Sequence, residues 1–394
     1  MKLDAAAWRA KRGIARILAA LDSDSGCVRY VGGAVRDELL GLPVSDIDLA
    51  TRILPERVLE RLAKARIKAV PTGIAHGTIT AIADGQPVEI TTLRSDVSTD
   101  GRRATVAFSD DWRADAERRD FSINALYADP ATGEISDFFG GLDDLAARRV
   151  RFIGDPLKRI AEDHLRILRF FRFHARFGSG DPDPAGLEAC TARANDLMAL
   201  SRERIADELT KILAIDDPTP TVALMLERGI LDPVVPEIAG AQPLAALVAA
   251  ERSAGIAADP LRRLAALLPP DPAVATDVAA RLKLSNKARK RLALAADRDL
   301  DASPRALAYW IGPEGAIDRL LLADRPDDAA ALAAWSVPRL PITGGALIKR
   351  GVPQGPAVAA TLQAIEREWV AGGFPDGENW ETIVAARIAA ATGG

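Results

Sequence analysis

The first 147 residues mix short apolar and β-branched runs with turn residues, whereas the chain beyond Arg148 has a helical pattern almost throughout. Strand-like runs bounded by Gly, Pro and Asp predict β-strands. A proline at the first helical position favours a helix start, as at Pro55. The predicted strands cover residues 28–31, 46–50, 78–83 and 88–93, and the predicted helices of this part cover residues 34–40 and 55–65.

This change of pattern divides the chain into three predicted regions. Asp155-Pro156 is typical of a helix start, and the proline-containing segment 214–220 is typical of a boundary. We therefore expect an α+β head with a mixed sheet and helices, followed by an all-α neck, body and tail. The head covers residues 1–147, the neck 148–215, and the body and tail 216–394.

The composition narrows the class of protein. Of the 394 residues, 48% are hydrophobic and 5% are aromatic, which fits a largely helical chain with substantial cores. No apolar run reaches the length of a membrane-spanning helix, and the N-terminal residues lack the pattern of a signal peptide. Because Cys27 and Cys190 are the only cysteines, we expect neither a disulfide framework nor a thiolate zinc site. We expect a cytoplasmic enzyme without a membrane partner.

The net charge of −4 hides two basic segments. Residues 148–176 contain nine basic and three acidic residues, and residues 281–291 contain six basic residues and no acidic one. Basic clusters on an acidic chain indicate a polyanion bound at defined places, and a solvated helix face is the alternative. The candidate polyanion-binding residues of the second segment are Lys283, Lys287, Arg289, Lys290 and Arg291.

The sequence Asp46-Ile47-Asp48 follows shortly after the glycine pair Gly32-Gly33. In a strand, alternate side chains share a face, so the two carboxylates point together while Ile47 points to the core. Adjacent carboxylates repel unless a cation lies between them, and Mg²⁺ prefers oxygen ligands and phosphates. A glycine turn before a helix exposes N–H groups to a phosphate. The pattern favours a site for a metal and a nucleoside triphosphate, with a surface Asp-x-Asp turn as the alternative.

Two other segments offer polar side chains to such a site. Arg118, Arg119, Asp120 and Asn124 lie among apolar residues that would anchor them. Arginine forks suit phosphate, and Asp120 would accept a hydrogen bond from a ribose hydroxyl. A helix with a salt-bridged face is the alternative for this segment. Glu89 is flanked by strand-forming residues and is a candidate third carboxylate, with an exposed strand residue as the alternative.

The helix predicted to start at Pro156 carries Asp163, Arg166 and Arg169 three residues apart, roughly along one face. A carboxylate accepts hydrogen bonds, and a guanidinium donates them. Cytosine and adenine each present an amino donor beside a ring-nitrogen acceptor, whereas uracil and guanine present a carbonyl beside an N–H group. An Asp163–Arg166 pair would therefore accept C and A and reject U and G without a template. An intrahelical ion pair is the alternative, and the motif alone does not decide between them.

Five motifs, taken in order, resemble the class II tRNA nucleotidyltransferase/poly(A) polymerase family, and most closely its bacterial CCA-adding enzymes. Their order and spacing make chance agreement very improbable, whereas the chain beyond residue 213 resembles the family only loosely. The resemblance implies a head with a nucleotidyltransferase-type mixed sheet. The motifs are residues 31–37, 46–49, 118–125, 162–169 and 201–213.

The resemblance also implies an activity, namely metal-dependent and template-independent addition of CCA to the 3′ end of tRNA from CTP and ATP. Asp46 and Asp48 would hold Mg²⁺. The strand pattern, and not the resemblance, adds Glu89 as the candidate third catalytic carboxylate. The tRNA would bind through its 3′ end and acceptor arm, with weak contacts at residues 283–291, and we expect no DNA partner. The residues implied to bind the nucleotide are Gly32, Gly33, Arg36, Arg118, Arg119, Asp120, Asn124, Asp163, Arg166, Arg169 and Arg172.

Several related activities remain open. A family loop matched by residues 96–111 is implicated in the switch from C to A addition, which favours CCA addition over CC-only addition. A specialised A-adding enzyme is a further alternative. Poly(A) polymerase of the same family is the closest competitor, although its paired basic residues are missing from residues 70–78. An RNA-binding protein without activity would need a broken metal site, and a transferase acting on a small molecule would not explain the neck helix.

Overall fold

A computed structural model of the chain describes residues 1–3, 7–100 and 103–393, with the backbone alone over 95–100 and 103–106. It divides into two compact units, of which the first is Met1–Ser201 with Arg228–Pro233 and the second is Arg202–Glu227 with Val234–Gly394. The first unit contains the strands, and the second is helical, so the expected α+β head with helical regions after it is confirmed. No helix of the described residues is long and apolar enough to cross a membrane.

The strands of the first unit form a seven-stranded mixed sheet and a separate two-stranded ribbon. Within the larger sheet, the order is β3-β4-β5-β2-β1-β8-β9, and β2 pairs with β5 in parallel while the other neighbours are antiparallel. The strands are β1 (Val28–Val31), β2 (Asp48–Thr51), β3 (Lys68–Gly73), β4 (Thr78–Ala83), β5 (Gln86–Thr92), β6 (Arg94–Asp100), β7 (Arg103–Phe108), β8 (Leu126–Ala128) and β9 (Ile135–Asp137).

Eight α-helices of the first unit surround these strands in the described residues. Three of them carry a proline in their first turn, where its missing N–H would have no helical partner anyway. The helices are α1 (Arg12–Leu21), α2 (Gly33–Leu39), α3 (Pro55–Lys64), α4 (Trp112–Glu117), α5 (Gly141–Ala146), α6 (Pro156–Glu162), α7 (Arg166–Phe177) and α8 (Pro184–Ala192).

Along β4 and β5, buried residues alternate with partly or fully exposed ones, so one face of the sheet is buried there and the other is partly exposed. On one side, α1 packs against α3 and β4 and buries Ile14, Ile17 and Leu21 completely. Elsewhere in the unit, a cluster that includes Trp112 and Tyr127 buries residues from β1, β2, α4 and β8. These contacts fix the ends of β1 and β2, where the candidate site lies.

A column of phenylalanines attaches α7 to the sheet-containing part of the first unit. The Phe121 ring lies 4.9 Å from that of Phe152 and 5.2 Å from that of Phe173, measured between centroids. Phe152 and Phe170 stack at 5.5 Å with nearly parallel planes. Aromatic pairs of this kind stabilise by about 0.5–1.5 kcal/mol beyond the area they bury, so α7 is held firmly in place.

The second unit contains helices in the described residues and no strands among them. Its buried clusters include one around Leu247, Leu320 and Leu332 and another around Leu347 and Ile365. The helices are α9 (Arg202–Leu213), α10 (Thr219–Glu227), α11 (Gln242–Ala254), α12 (Pro260–Leu267), α13 (Pro272–Arg281), α14 (Asn286–Ala296), α15 (Pro304–Ile311), α16 (Pro313–Leu322), α17 (Pro326–Ala333), α18 (Gly344–Lys349), α19 (Pro356–Ala371) and α20 (Gly377–Thr392).

The predicted elements differ from the structure in two places that matter for the site. The strand predicted over 46–50 begins at Asp48, so Asp46 lies just before it. The helix predicted to run on from Pro156 is wrong, because α6 ends at Glu162 and α7 begins at Arg166. Asp163 between them has extended backbone angles, and its carboxylate accepts a hydrogen bond from Leu165 N at 3.1 Å. Such local bonds compete with helix continuation.

Candidate active site

A cavity of about 420 Å³ in the first unit gathers most of the predicted residues. Its wall also contains residues that sequence reasoning missed, namely Asp37, Ser45, Phe173 and Arg176. Four predicted residues, Glu89, Arg118, Asp163 and Arg166, lie outside this wall as the described residues form it. The predicted residues in the wall are Gly32, Gly33, Arg36, Asp46, Asp48, Arg119, Asp120, Asn124, Arg169 and Arg172.

The glycine pair makes the turn between β1 and α2. Gly32 has a φ of +67°, a conformation that favours glycine, and its carbonyl accepts the first hydrogen bond of the helix from Arg36 N at 3.0 Å. A Cβ at Gly32 would lie 3.5 Å from Nη1 of Arg119 and 3.6 Å from the carbonyl oxygen of Asn124. The turn therefore brings the backbone close to two other predicted site residues.

The two carboxylates face the cavity as the strand alternation predicts. Asp46 and Asp48 line the wall, whereas Ile47 and Leu49 between and after them are 3% and 0% exposed. Burial, the charge of Glu89 and, to a lesser degree, that of Asp46 raise the pKa of Asp48 to about 6, against the opposing effect of Arg119. Glu89 owes this influence to its position opposite Asp48 in the parallel pairing of β2 and β5.

This crowding of negative charge fits a divalent cation. In the part of the chain that the structure describes, neither Asp46 nor Asp48 forms an ion pair with a basic side chain. Within the described residues no three His, Cys, Asp or Glu side chains form a group that could hold a metal. A cation would therefore take two carboxylates from the protein, and Mg²⁺ commonly takes its remaining oxygen ligands from water and phosphate.

Arg36 lies buried at one side of the cavity. Its guanidinium donates to Asp37 Oδ1 at 2.9 and 2.7 Å and to Asn124 Oδ1 at 2.5 Å. The same group lies 3.9 Å from the ring centroid of Phe177. Burial lowers the pKa of Arg36, although Asp37 opposes the shift, and an arginine stays charged at neutral pH in any case. Arg36 thus presents a fixed positive charge to the wall.

Asp120 lies in the loop after α4, and its carboxylate connects this loop to α7. Its carboxylate accepts hydrogen bonds from Arg169 Nε at 2.7 Å, from Asn124 Nδ2 at 3.1 Å and from the backbone N–H of Phe121 at 2.9 Å. Burial alone would raise the pKa of Asp120, but Arg169 and Asn124 hold it below its usual value. A ribose hydroxyl would have to share the Asp120 carboxylate with these donors, and this contact stays a prediction.

Arg119 is held by a buried carboxylate that sequence reasoning missed. Asp115 is 1% exposed and accepts from Arg118 Nη2 at 2.6 Å, from Arg119 Nη2 at 3.3 Å and from the Tyr127 hydroxyl at 2.7 Å. Asp115 therefore occupies the guanidinium of Arg118, which turns it away from the cavity. The spacing of three and four residues between Asp115 and the two arginines was the available signal.

Four residues of α7 form one face toward the cavity. Arg169, Arg172, Phe173 and Arg176 follow the spacing that places side chains on the same side of a helix. The Arg172 guanidinium lies 4.5 Å from the centroid of Phe173, and Arg176 Nη2 lies 4.0 Å from Asp37 Oδ2. The Arg176 side chain is 51% exposed, so it can contact a ligand. This face supplies the positive charge opposite the carboxylates.

The predicted Asp163–Arg166 pair does not form. Arg166 Nη1 donates to Glu162 Oε2 at 2.5 Å and to the carbonyl of Arg159 at 2.7 Å, while its Nη2 donates to the carbonyl of Arg118 at 3.1 Å. Asp163 lies in the break between α6 and α7, so it does not share one continuous helix with Arg169. The intrahelical ion pair of this segment is the one between Glu162 and Arg166.

Two other predicted segments also look different in the structure. In place of a loop over 96–111, β6 and β7 form a ribbon over residues 94–100 and 103–108, while residues 101 and 102 lie outside the described residues.

In the second unit, Lys287 and Lys290 are exposed, Lys283 pairs with Glu203 at 2.9 Å, and Arg289 donates to Asn286. Arg291 is the exception, since its side chain is 14% exposed and bonds Asp259, Glu314 and Asp318. Its contact with a polyanion stays a prediction, and these bonds to three carboxylates would compete with it.

Comparisons with known proteins show which family this chain is similar to. The family model described as Poly A polymerase head domain matches residues 28–151, and that described as probable RNA and SrmB-binding site of polymerase A matches residues 181–241. The chain is 35% identical to the mitochondrial CCA tRNA nucleotidyltransferase 1 of Mus musculus over 378 residues, which cover 88% of this chain and 83% of the mouse protein.

Bacterial proteins are similar over the same length. Identity to the CCA-adding enzyme of Lacticaseibacillus paracasei is 32% over 371 residues, which cover 88% of this chain and 89% of that protein. The crystal structure of the Bacillus stearothermophilus CCA-adding enzyme in complex with CTP matches with a TM-score of 0.75 and 28% identity, and covers 95% of this chain and 98% of that one.

Proposed function

The chain belongs to the tRNA nucleotidyltransferase/poly(A) polymerase family, and we propose that it adds C, C and A to the 3′ end of tRNA from CTP and ATP without a template. The relatives named above carry the names of CCA-adding enzymes, and one of them is described in complex with CTP. The observation in this chain that supports the proposal most strongly is the cavity, because it combines two carboxylates without ion pairs and five arginines in one wall.

The donor set suits transfer of a nucleotidyl group. Asp46 and Asp48 would hold Mg²⁺, which supplies charge stabilisation for the phosphoryl transfer when it is bound. Arg36 and Arg119 would orient the triphosphate beside the glycine turn, since both guanidiniums are fixed by carboxylates or amides of the protein. Arg172 and Arg176 would bind further anionic oxygens from the opposite side of the cavity.

Base selection stays a prediction for Asp163 and Arg166. With Arg166 bonded to Glu162 and to two backbone carbonyls, reading of a base would require its guanidinium to exchange these partners for the nucleotide. Asp163→Ala is expected to relax the preference for C and A over U and G more than it weakens binding of the triphosphate. An unchanged preference among the four nucleotides would contradict this assignment.

The partner RNA is proposed as a tRNA that lacks its terminal CCA, with its acceptor arm as the region bound. Lys283, Lys287, Arg289 and Lys290 remain candidate contacts, because their side chains lie wholly or partly at the surface. We keep the cytoplasm as the predicted location, although a relative is a mitochondrial enzyme. Absence of a DNA partner also stays a prediction.

The test is one extension assay. Purified protein, Mg²⁺ and a tRNA truncated at its discriminator base are incubated with CTP, with ATP and with both, and the products are separated on a sequencing gel. We expect two additions with CTP and a third with both nucleotides, after which extension stops. A long ladder with ATP alone would instead identify a poly(A) polymerase. Termination at CC would identify a CC-adding enzyme, and no extension in any mixture would overturn the proposal.

A further inference from the structure

A buried hydrogen-bond network holds Arg119 at the wall of the cavity. None of the residue roles predicted above includes this network. The network consists of Asp115 on α4, Tyr127 on β8 and Arg119 in the connection that follows α4. Asp115 is 1% exposed and Tyr127 is fully buried, so neither residue lines the cavity. Both nevertheless contact an arginine that does.

The hydrogen bonds run in one direction through the network. Arg119 Nε donates to the Tyr127 hydroxyl oxygen at 3.1 Å, and that hydroxyl donates to Asp115 Oδ2 at 2.7 Å. Arg119 Nη2 donates to the same carboxylate oxygen at 3.3 Å. The phenol therefore has one donor and one acceptor on opposite sides, and Asp115 supplies the negative charge that balances the buried guanidinium. Arg118 lies on the other oxygen, with Nη2 at 2.6 Å from Oδ1.

This arrangement fixes two of the three nitrogen atoms of the Arg119 guanidinium and directs the third. Nη1 lies beside the glycine turn, since a Cβ at Gly32 would be 3.5 Å from it. The positive charge also acts on Asp48 across the cavity, where it opposes the rise in the pKa of that carboxyl. A planar guanidinium held by two of its nitrogens cannot rotate without breaking both bonds, so its remaining edge is oriented in advance.

We infer that Asp115 and Tyr127 are positioning residues that hold Arg119 ready to bind an anionic oxygen of the incoming nucleoside triphosphate beside Gly32. The inference rests on the proposed function for the identity of the ligand. Orientation in advance lowers the entropy lost when the ligand binds, so the network increases affinity without contacting the nucleotide. Asp115 serves Arg119 in this way while its other oxygen keeps Arg118 outside the cavity.

The main substitution is Asp115→Asn, which keeps the size of the side chain and removes its charge. We expect the dissociation constant for CTP to rise about 10- to 100-fold, the range typical of residues that orient a ligand-binding side chain. Tyr127→Phe removes a single hydroxyl and is expected to raise it about fivefold, which corresponds to one hydrogen bond of ~1 kcal/mol. If thermal unfolding shows that Asp115→Asn does not fold, Tyr127→Phe replaces it as the test variant.

A double-mutant cycle separates positioning from general support of the fold. CTP binding is measured by equilibrium titration, without tRNA, for Asp115→Asn, for Arg119→Lys and for the two combined. If Asp115 acts through Arg119, its substitution has little further effect once Arg119 is lysine. Equal factors in both backgrounds, or CTP binding unchanged by Asp115→Asn and Tyr127→Phe, would overturn the inference.

Glu251→Gln is the matched control, because Glu251 is 2% exposed, binds two arginines and does not line the cavity. It is expected to lower the temperature of unfolding and leave the CTP dissociation constant unchanged. Wild-type protein that binds CTP and fails to extend tRNA would defeat the proposed function alone, since the cycle is read from binding. A CTP constant raised as much by Glu251→Gln as by Asp115→Asn would defeat the inference alone.

Discussion

Both units bury arginines against carboxylates, yet the two clusters differ in whether their charges are balanced. In the first unit the arginines border a cavity that also holds Asp46 and Asp48, which form no ion pair within the described residues. In the second unit, by contrast, the carboxylate of Glu251 bonds Arg262 and Arg263 through separate oxygens, at 2.9 Å each.

Further charged groups of the cluster in the second unit also have hydrogen-bond partners in the protein. Asp318 accepts from Arg262 Nη1 at 3.2 Å and from Arg291 Nε at 2.7 Å, and Arg263 donates to the carbonyl of Leu213 at 2.7 Å. Buried ions must be paired and hydrogen-bonded to be tolerated, and this cluster meets both conditions without a ligand. The same residue types thus stabilise helices in one unit and leave negative charge available at a cavity in the other. The unbalanced carboxylates, and not the arginines, distinguish the site.

The largest expected effect comes from neutralising one of those carboxylates. Asp48→Asn should lower the rate of tRNA extension at least about 10³-fold, because the metal it would hold contributes several kcal/mol to the transition state. The gel assay measures this loss. Asp84→Asn is a suitable control, since Asp84 is an exposed carboxylate of the same unit that pairs with Arg16. Extension of tRNA by Asp48→Asn at a rate near that of wild type would contradict the claim that the unpaired carboxylates distinguish the site.

The same substitution should act in the opposite direction on stability. The pKa of Asp48 is about 6 in the folded chain, above the ordinary 3.8. The folded state therefore binds the proton more tightly, so this carboxyl lowers stability as the pH rises from about 4 to above 6. At pH 8 in EDTA, Asp48→Asn should raise the free energy of unfolding by about 1–3 kcal/mol, with no gain at pH 3. A loss of stability at pH 8 would show that Asp48 is balanced after all.

A substitution in the buried arginine–carboxylate cluster of the second unit should lower the stability of the protein. Glu251→Gln leaves two buried arginines without their carboxylate, so the free energy of unfolding should fall by about 3–5 kcal/mol. Denaturant unfolding followed by circular dichroism measures this change. The control is Glu314→Gln, because Glu314 binds Arg291 of the same cluster with its side chain 59% exposed and should cost less than about 1 kcal/mol. Equal losses for the two variants would contradict a closed buried network.

Arg176 offers a smaller test of the positive face of α7. Arg176→Gln removes a half-exposed charge from the cavity wall, and the dissociation constant for CTP should rise about fivefold, equivalent to ~1 kcal/mol. Arg193→Gln serves as the control, since Arg193 is 42% exposed, pairs with Asp196 and does not line the cavity. If both substitutions weaken CTP binding to the same extent, net charge and not the position of Arg176 is responsible.

The smallest effect is expected on the surface of the second unit. Replacing Lys287 and Lys290 together by alanine should weaken tRNA binding a few-fold and reduce the slope of its logarithmic salt dependence by about two. CTP binding should not change. Titration of labelled tRNA at several salt concentrations measures the slope. An unaltered slope would remove these two lysines from the tRNA contact.

The amino-acid sequence predicted the parts of the site that depend on local pattern. The predicted alternation of side chains placed Asp46 and Asp48 on the same side although β2 begins only at Asp48, and the glycine pair marked the turn before α2. The parts that depend on distant contacts were not predicted. Arg166 donates to the carbonyl of Arg118, 48 residues away along the chain, and such a bond leaves no local signal.

Asp115 and Asp163 show two further reasons why sequence reasoning stopped short. The helical pattern from residue 156 onward has no proline or glycine near Asp163, so the break made by its side-chain bond to Leu165 N was not visible. Asp115 was not among the predicted site residues, and its burial beside Arg118 and Arg119 becomes visible only in the structure. Asp163 bonds to a backbone group that composition and spacing do not identify, whereas the spacing of Asp115 from Arg118 and Arg119 was a signal that was not used.

The most direct test of the account is a titration with Mn²⁺, a paramagnetic substitute for Mg²⁺, in the presence of CTP. Electron paramagnetic resonance measures the unbound ion for the wild type, Asp48→Asn and Glu251→Gln. The wild type and Glu251→Gln should bind Mn²⁺ equally, and Asp48→Asn should lose this binding. Equal binding by all three proteins would show that the unbalanced carboxylates of the cavity are not the metal site, and would contradict the account.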